Sequence, residues 1–83
     1  MTGKILYKSS VSRDLKHIDS KSKEMILGQI KSALADNPRS GEPLHREFQG
    51  LFKIRVGDYR VIYTAIGVDV LVLRIRHRSK VYS

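Results

Sequence analysis

Cysteine is absent from these 83 residues. That removes disulfides, thiol nucleophiles and thiolate-held zinc or iron–sulfur clusters. Long apolar runs are also missing. The longest is Val70-Leu71-Val72-Leu73, far short of a membrane span. No apolar stretch of signal-peptide length follows Met1-Thr2-Gly3-Lys4, so a cytoplasmic protein is expected. No repeat or low-complexity stretch is visible. Acidic residues are scarce: Asp plus Glu is 8 against 16 Lys plus Arg, a formal charge of +8. Such an excess on so small a body argues for a polyanionic partner, whether nucleic acid, a ribosome, an acidic protein or an anionic membrane.

Familiar reaction centres are missing as well. No carboxylates cluster at metal-ligand spacing, and His17, His45 and His77 are scattered. There is no Ser-His-Asp arrangement, phosphate-binding glycine loop or zinc pattern. An enzyme built from this inventory is expected to work without metal or cofactor, mainly through cations. What is present is a foldable composition, 41% hydrophobic and 29% charged. The length permits one domain, residues 1–83, with no room for a separate cofactor-binding unit.

Ile5, Leu6 and Tyr7, between Lys4 and Lys8, read as a short first strand. Ser9 and Ser10 can cap a helix whose apolar face carries Val11, Leu15 and Ile18. After Asp19-Ser20 a second helix is predicted from about Lys21 to Asp36, striped by Ile26, Ile30 and Leu34. Gly28 weakens it by roughly 1 kcal/mol relative to alanine. Asn37-Pro38 ends it, because the residue before proline avoids the helical region. Residues 39–49 read as an irregular connector anchored by Leu44 and Phe48. From Leu51 the period becomes two. Two alternating runs flank Gly57-Asp58, a hairpin-type turn, and a last strand runs from Val70 to Arg76. The expected fold is α+β, in the order β-α-α-β-β-β, with both helices on one face of a small, mainly antiparallel sheet.

Strand parity then places the charges. A two-residue loop at Gly57-Asp58 sets Arg55 opposite Arg60. A two-residue loop at Gly67-Val68 would pair Ala65 with Val70 and drive Arg74 and Arg76 into the core, at several kcal/mol for unpaired charge. A three-residue loop, Gly67-Val68-Asp69, avoids this. It pairs Ile66 with Val70, Thr64 with Val72 and Arg60 with Arg76, and it points Leu71, Leu73 and Ile75 inward. Arg55, Arg60 and Arg76 then form a row across three strands on the face away from the helices, with Lys53 and Arg74 flanking Ile62 beside it. Like charges directly opposed on a sheet destabilise it. From Lys53 to Lys80, seven cations face two acids, Asp58 and Asp69. That concentration points to an anion site, most simply for phosphates. A solvated, Lys/Arg-rich strand face is the plainer alternative. Tyr59 and Tyr63 share the parity of Val61 and are expected in the core. His17 and His45 read as surface or structural residues. His77 follows the arginine row, and Tyr82 could stack on a base.

RNA suits a site made of cations, because its 2′-hydroxyl is a built-in nucleophile. The protein need only orient it and stabilise charge on the phosphate and the leaving oxygen.

The sequence resembles the RelE family of toxin–antitoxin ribonucleases, within the RelE/ParE superfamily. The likeness rests on Leu51-Phe52-Lys53-Ile54-Arg55-Val56-Gly57-Asp58-Tyr59-Arg60-Val61-Ile62-Tyr63 and on Arg76-His77-Arg78-Ser79-Lys80-Val81-Tyr82, with Asn37-Pro38-Arg39 and Gly50 also fitting. It implies a metal-independent endoribonuclease that cuts mRNA in the ribosomal A site by 2′-hydroxyl attack on the adjacent phosphate. It implies four partners: a RelB-like antitoxin, the ribosome, mRNA and, only through the antitoxin, operator DNA. Carried over by position, Lys53 and Arg55 contact and polarise the scissile region. Arg60 stabilises the phosphate, Arg76 assists the leaving 5′-oxygen, and Tyr82 stacks on or positions the nucleotide. Arg55 stands where some members have lysine, and arginine hardly ever deprotonates. Lys53 is therefore the better general base, since neighbouring guanidinium groups favour its neutral form. Some relatives use Glu with His; the hairpin holds no Glu, and His77 is the substitute considered. The alternatives are a ParE-like inhibitor of DNA gyrase without nuclease activity and a non-catalytic binding module.

Overall fold

Ile26, Ile30 and Leu34 are fully buried and four residues apart, so they form the inner stripe of the longer helix, α2 (Ser20–Leu34). The Asp19 side chain caps it by accepting the Ser22 amide at 3.0 Å. The computed structural model describes residues 3–35, 37–44 and 50–80. Ahead of α2 lie β1 (Ile5–Tyr7) and α1 (Ser9–Leu15). After it come β2 (Glu42–Pro43), β3 (Leu51–Val56), β4 (Tyr59–Ile66) and β5 (Asp69–His77), then a 3-10 turn at Arg78–Lys80.

The strands form one sheet in the order β1-β5-β4-β3-β2. All neighbours are antiparallel except β1, which pairs parallel to β5. Both helices contribute to a single core on one face. Val11, Ile26, Ile30 and Leu34 pack with Val56, Val61, Tyr63, Val70, Val72 and Ile75. Each such aliphatic side chain contributes roughly 1.5–3 kcal/mol by leaving water. Tyr63 is fully buried yet satisfied: its Oη accepts the Gly41 amide at 2.9 Å and its ring stacks on Phe52. The α+β arrangement read from the sequence is the observed one.

Four details differ from the sequence reading. The first helix ends at Leu15, and Ile18 reaches the core from the following turn. The predicted connector contains β2, whose Glu42 and Pro43 pair with Lys53 and Phe52. Leu44 is half-buried, while Phe48 and His45 lie outside the described residues.

The remaining two concern β5. The loop before it has two residues, not three: Ile66 pairs with Asp69, Ala65 with Val70, Thr64 with Leu71 and Tyr63 with Val72. Val70 and Val72 are therefore the buried residues at this end, and Leu71 and Leu73 are not. A bulge then skips Leu73, and the pairing resumes with Ile62 opposite Arg74, Val61 opposite Ile75 and Arg60 opposite Arg76. The extra residue sits inside the strand instead of in the loop. It reverses parity in time to keep both arginines out of the core.

Candidate functional site

Gly57 makes the tight β3–β4 turn possible. It adopts φ 59°, a left-handed conformation that costs glycine nothing. The hairpin it closes sets Arg55 directly opposite Arg60, and the resumed β5 register sets Arg60 opposite Arg76. Directly opposed residues have Cβ atoms roughly 4.5–5.5 Å apart, so three guanidinium stems rise side by side from three adjacent strands. Arg55 is exposed; Arg60 and Arg76 are half-buried. Phe52, Ile54 and Val56 pack on or within the core, so the alternate residues Lys53 and Arg55 face away from the helices.

The next row along the sheet is Lys53, Ile62 and Arg74. Its two cations differ in state. Arg74 is bound to Asp14 of α1 by a bidentate pair, Nε to Oδ2 at 2.9 Å and Nη2 to Oδ1 at 3.0 Å. The Ile75 amide also donates to Asp14 Oδ2 at 3.0 Å. Partial burial pushes the Asp14 carboxyl up, but the Arg74 and Ile75 hydrogen bonds and the fields of Arg74 and Arg76 hold it below the usual carboxylate range. Arg74 therefore belongs to an internal ion pair and not to the open cation surface that parity alone suggested. Lys53 is held only loosely: its Nζ lies 3.9 Å from Glu42 Oε2, a contact of small energetic weight.

Glu42 is the residue that sequence reasoning missed. It is remote from the hairpin in the chain, and β2 brings it directly opposite Lys53. A cleft of about 110 Å³ is lined by Glu42, Lys53, Ile54, Arg55 and Arg60. A neighbouring cleft of about 260 Å³ is lined by Arg55, Gly57, Asp58, Tyr59, Arg60 and Arg78. Arg55 and Arg60 border both. Arg78 joins them because its amide donates to the Asp58 carbonyl at 2.7 Å, folding the end of β5 back toward the hairpin turn. The pairing of Arg60 with Arg76, continued by two residues, already sets Arg78 opposite Asp58, so parity held the signal for it. The arrangement can bind a phosphate from several sides and offers both an amine and a carboxylate beside it.

His77 does not join this group. It lies opposite Tyr59 on the helix side of the sheet, with ring centroids 5.2 Å apart at 84°. Its Nδ1 is 2.8 Å from Ser79 Oγ. Alternation explains the placement, because His77 follows Arg76 and must point the other way. With Arg76, His17, Asp14 and Ser79 it borders a third cleft of about 250 Å³; Arg76 thus stands between the row and this cleft, while Arg55 and Arg60 border the other two. Tyr82 lies outside the described residues. Among the described residues, no three His, Asp or Glu side chains converge as a metal site would require. No helix among them is long and apolar enough to cross a membrane.

Residues 5–82 match the family model of the ParE toxin of the type II toxin–antitoxin system parDE. Toxin RelG of Mycobacterium tuberculosis is 41% identical over 46 residues, covering 53% of this chain and 53% of that protein. Toxin RelE of the same organism is 36% identical over 56 residues, covering 66% and 58%. The matched region thus spans a little over half the length of these relatives. In three dimensions the chain is similar to the toxin–antitoxin complex RelBE2 of M. tuberculosis, with TM-score 0.85 and 28% identity over 94% of this chain and 100% of that one. It also shares its fold with the RelB–RelE complex of Methanococcus jannaschii, at TM-score 0.72 and 21% identity over 93% and 94%. Element order, sheet topology and the family match over nearly the whole length agree, and the chain belongs to the RelE/ParE family of toxins of type II toxin–antitoxin systems.

Proposed function

We propose that this protein is a ribosome-dependent endoribonuclease that inhibits translation by cutting mRNA in the ribosomal A site. The observation that carries the proposal is the Arg55–Arg60–Arg76 row with Lys53 beside it on the same face. Directly opposed cations work against sheet stability, so their presence is best accounted for by an anionic ligand.

The chemistry follows from the positions. The 2′-oxygen attacks the adjacent phosphorus and the bond to the 5′-oxygen breaks, leaving a 2′,3′-cyclic phosphate and a 5′-hydroxyl. The 2′-hydroxyl proton passes to a base, and a proton is supplied to the departing 5′-oxygen. Arg55 and Arg60 bind the non-bridging oxygens, whose charge grows in the transition state. Arg76, at the end of the row, steadies the leaving oxygen, and Tyr82 stacks on the nucleotide. Two groups in the smaller cleft are candidates for the base, the Lys53 side chain and the Glu42 carboxylate. Guanidinium is not one. His77 lies opposite Tyr59 and borders a cleft together with Arg76, so it stands near the leaving oxygen's side of the site without being needed for this scheme. DNA lacks the attacking hydroxyl and is not cut.

The ribosome supplies the geometry that a shallow cleft cannot, and it confines the activity to the cytoplasm. A RelB-like antitoxin with an acidic surface masks the +8 body, and the pair reaches operator DNA through the antitoxin. Solved relatives support this partner, since RelE chains occur there in complex with RelB.

The test compares purified protein on translating and on naked mRNA. Cleavage within codons only when ribosomes are present supports the proposal; equal or absent cleavage in both overturns it. Loss of cleavage by Arg60→Ala with near-normal ribosome binding separates an enzyme from a module that merely binds. The family match favours one second reading, a ParE-like inhibitor of DNA gyrase. Inhibited supercoiling with unaffected translation would establish that reading instead.

A further inference from the structure

The outer edge of β5 is satisfied in two different ways along its length. For residues 70–72 the partner is β1, with Val70 N–H donating to Lys4 O at 2.9 Å and Lys8 N–H donating to Val72 O at 3.0 Å. β1 then ends and α1 begins. From there α1 side chains replace the missing strand. Ser10 Oγ donates to the Leu73 carbonyl at 2.6 Å, and Asp14 accepts the Ile75 amide at 3.0 Å while clasping the Arg74 guanidinium. Ser10 and Asp14 are four residues apart and so share one face of α1. The residues they hold, Leu73 to Ile75, are those at which the ladder slips by one.

That slip decides where Arg76 stands. Continued without it, the register near the turn would pair Val61 with Arg74 and Tyr59 with Arg76, on the side of the core. With it, Arg76 is opposite Arg60. We infer that Ser10 and Asp14 are positioning residues for the candidate active site: by fixing the bulge at Leu73 they hold Arg76 in line with Arg60 and Arg55. The inference rests on the proposed nuclease for its catalytic consequence, but its structural half stands alone. Asp14 also keeps Arg74 paired, in the next row along the sheet. The clamp lies at the sheet edge and touches neither Arg60 nor Arg55.

The experiment has two arms. The first reads register directly, by NMR contacts across β4 and β5 in the unmodified protein, Asp14→Ala, Asp14→Asn and Ser10→Ala. The unmodified protein should show Arg60–Arg76 and Val61–Ile75 contacts. Asp14→Ala should weaken both and admit the unslipped contacts Val61–Arg74 and Arg60–Ile75, while pairs from Ile66–Asp69 to Tyr63–Val72 persist. Asp14→Asn keeps an acceptor for the Ile75 amide and should retain more of the native register than Asp14→Ala. The second arm reads ribosome-dependent cleavage. A displacement of about 1 Å can cost on the order of 100-fold, so kcat should fall about tenfold or more for Asp14→Ala, with KM for the ribosome little changed. Asp14→Asn should recover part of that loss. Native β4–β5 contacts in Asp14→Ala overturn the inference. So does a loss of all cross-strand contacts together, which would make Asp14 a general stabilising residue; Ser10→Ala, the milder change, then reports on the bulge alone, and native contacts there complete the refutation. Shifted contacts in a protein whose unmodified form cuts no mRNA would leave the clamp standing and remove the nuclease reading.

Discussion

Replacing Arg60 with threonine is expected to stabilise the fold while abolishing cleavage. Arg60 is the middle of the cationic row and is directly opposed by Arg55 on one side and Arg76 on the other. Each directly opposed like-charge pair costs about 0.2–1 kcal/mol, so two pairs give about 0.4–2 kcal/mol of relief. The Arg76 share is the smaller, because the Asp14 carboxylate also acts on Arg76. Threonine suits a half-buried strand position and offsets part of the lost stem packing. For a domain of this size about 1 kcal/mol moves Tm by about 4–8 °C. Arg55→Thr removes one pair and should raise Tm less. The assay is thermal unfolding at low salt and at about 1 M salt, where the Debye length falls to about 3 Å and the gain should largely vanish. An unchanged or lower Tm for Arg60→Thr at low salt, or a gain that ignores salt, would refute the idea that the row is held against its own repulsion. Retained ribosome-dependent cleavage in the same variant would refute its use.

Gly41→Ala should destabilise the protein and disturb the Lys53–Glu42 pairing, because a Cβ there would lie 2.4 Å from Tyr63 Oη and 2.9 Å from the Lys53 carbonyl; urea unfolding and cleavage should both register it. Tyr63→Phe leaves the Gly41 amide without its partner and should cost about 1 kcal/mol, read as a lower urea midpoint at unchanged slope. Leu34→Ala, at a fully buried helix position, should cost about 2–5 kcal/mol by the same measurement. The Asp14 carboxyl is depressed in the fold, so its stabilising contribution is present above its unfolded value near 3.8 and is lost as pH falls through the folded value; Asp14→Asn should therefore flatten the acid limb of a stability–pH curve and leave the neutral limb parallel to that of the unmodified protein.

Much of the candidate site was legible in the order of residues. Alternation from Leu51 to Val56 and from Tyr59 to Ile66, with Gly57-Asp58 between, admits few pairings, and Arg55 opposite Arg60 follows from it. The β5 register was half legible. Parity shows that one extra residue must lie between Ile62 and Arg74, since otherwise two arginines are buried. It does not show where, because a longer loop and a bulge have the same effect on every residue beyond them. The structure puts it at Leu73, and the inward residues at the turn end become Val70 and Val72. His77 was offered for the site by family likeness; alternation turns it toward Tyr59, and a cleft at the end of β5 brings it beside Arg76.

The sequence alone determined the layered α+β arrangement, the hairpin register and the accumulation of cations on one sheet face, because period, turn chemistry and charge burial act between near neighbours along the chain. Tertiary structure alone decided that β1 runs parallel beside β5, that Asp14 removes Arg74 from the open cations, and that Glu42 stands against Lys53. Those contacts join residues separated by loops and helices. Their partners are chosen by which edges and faces the packed core leaves within reach, a condition that no local pattern records.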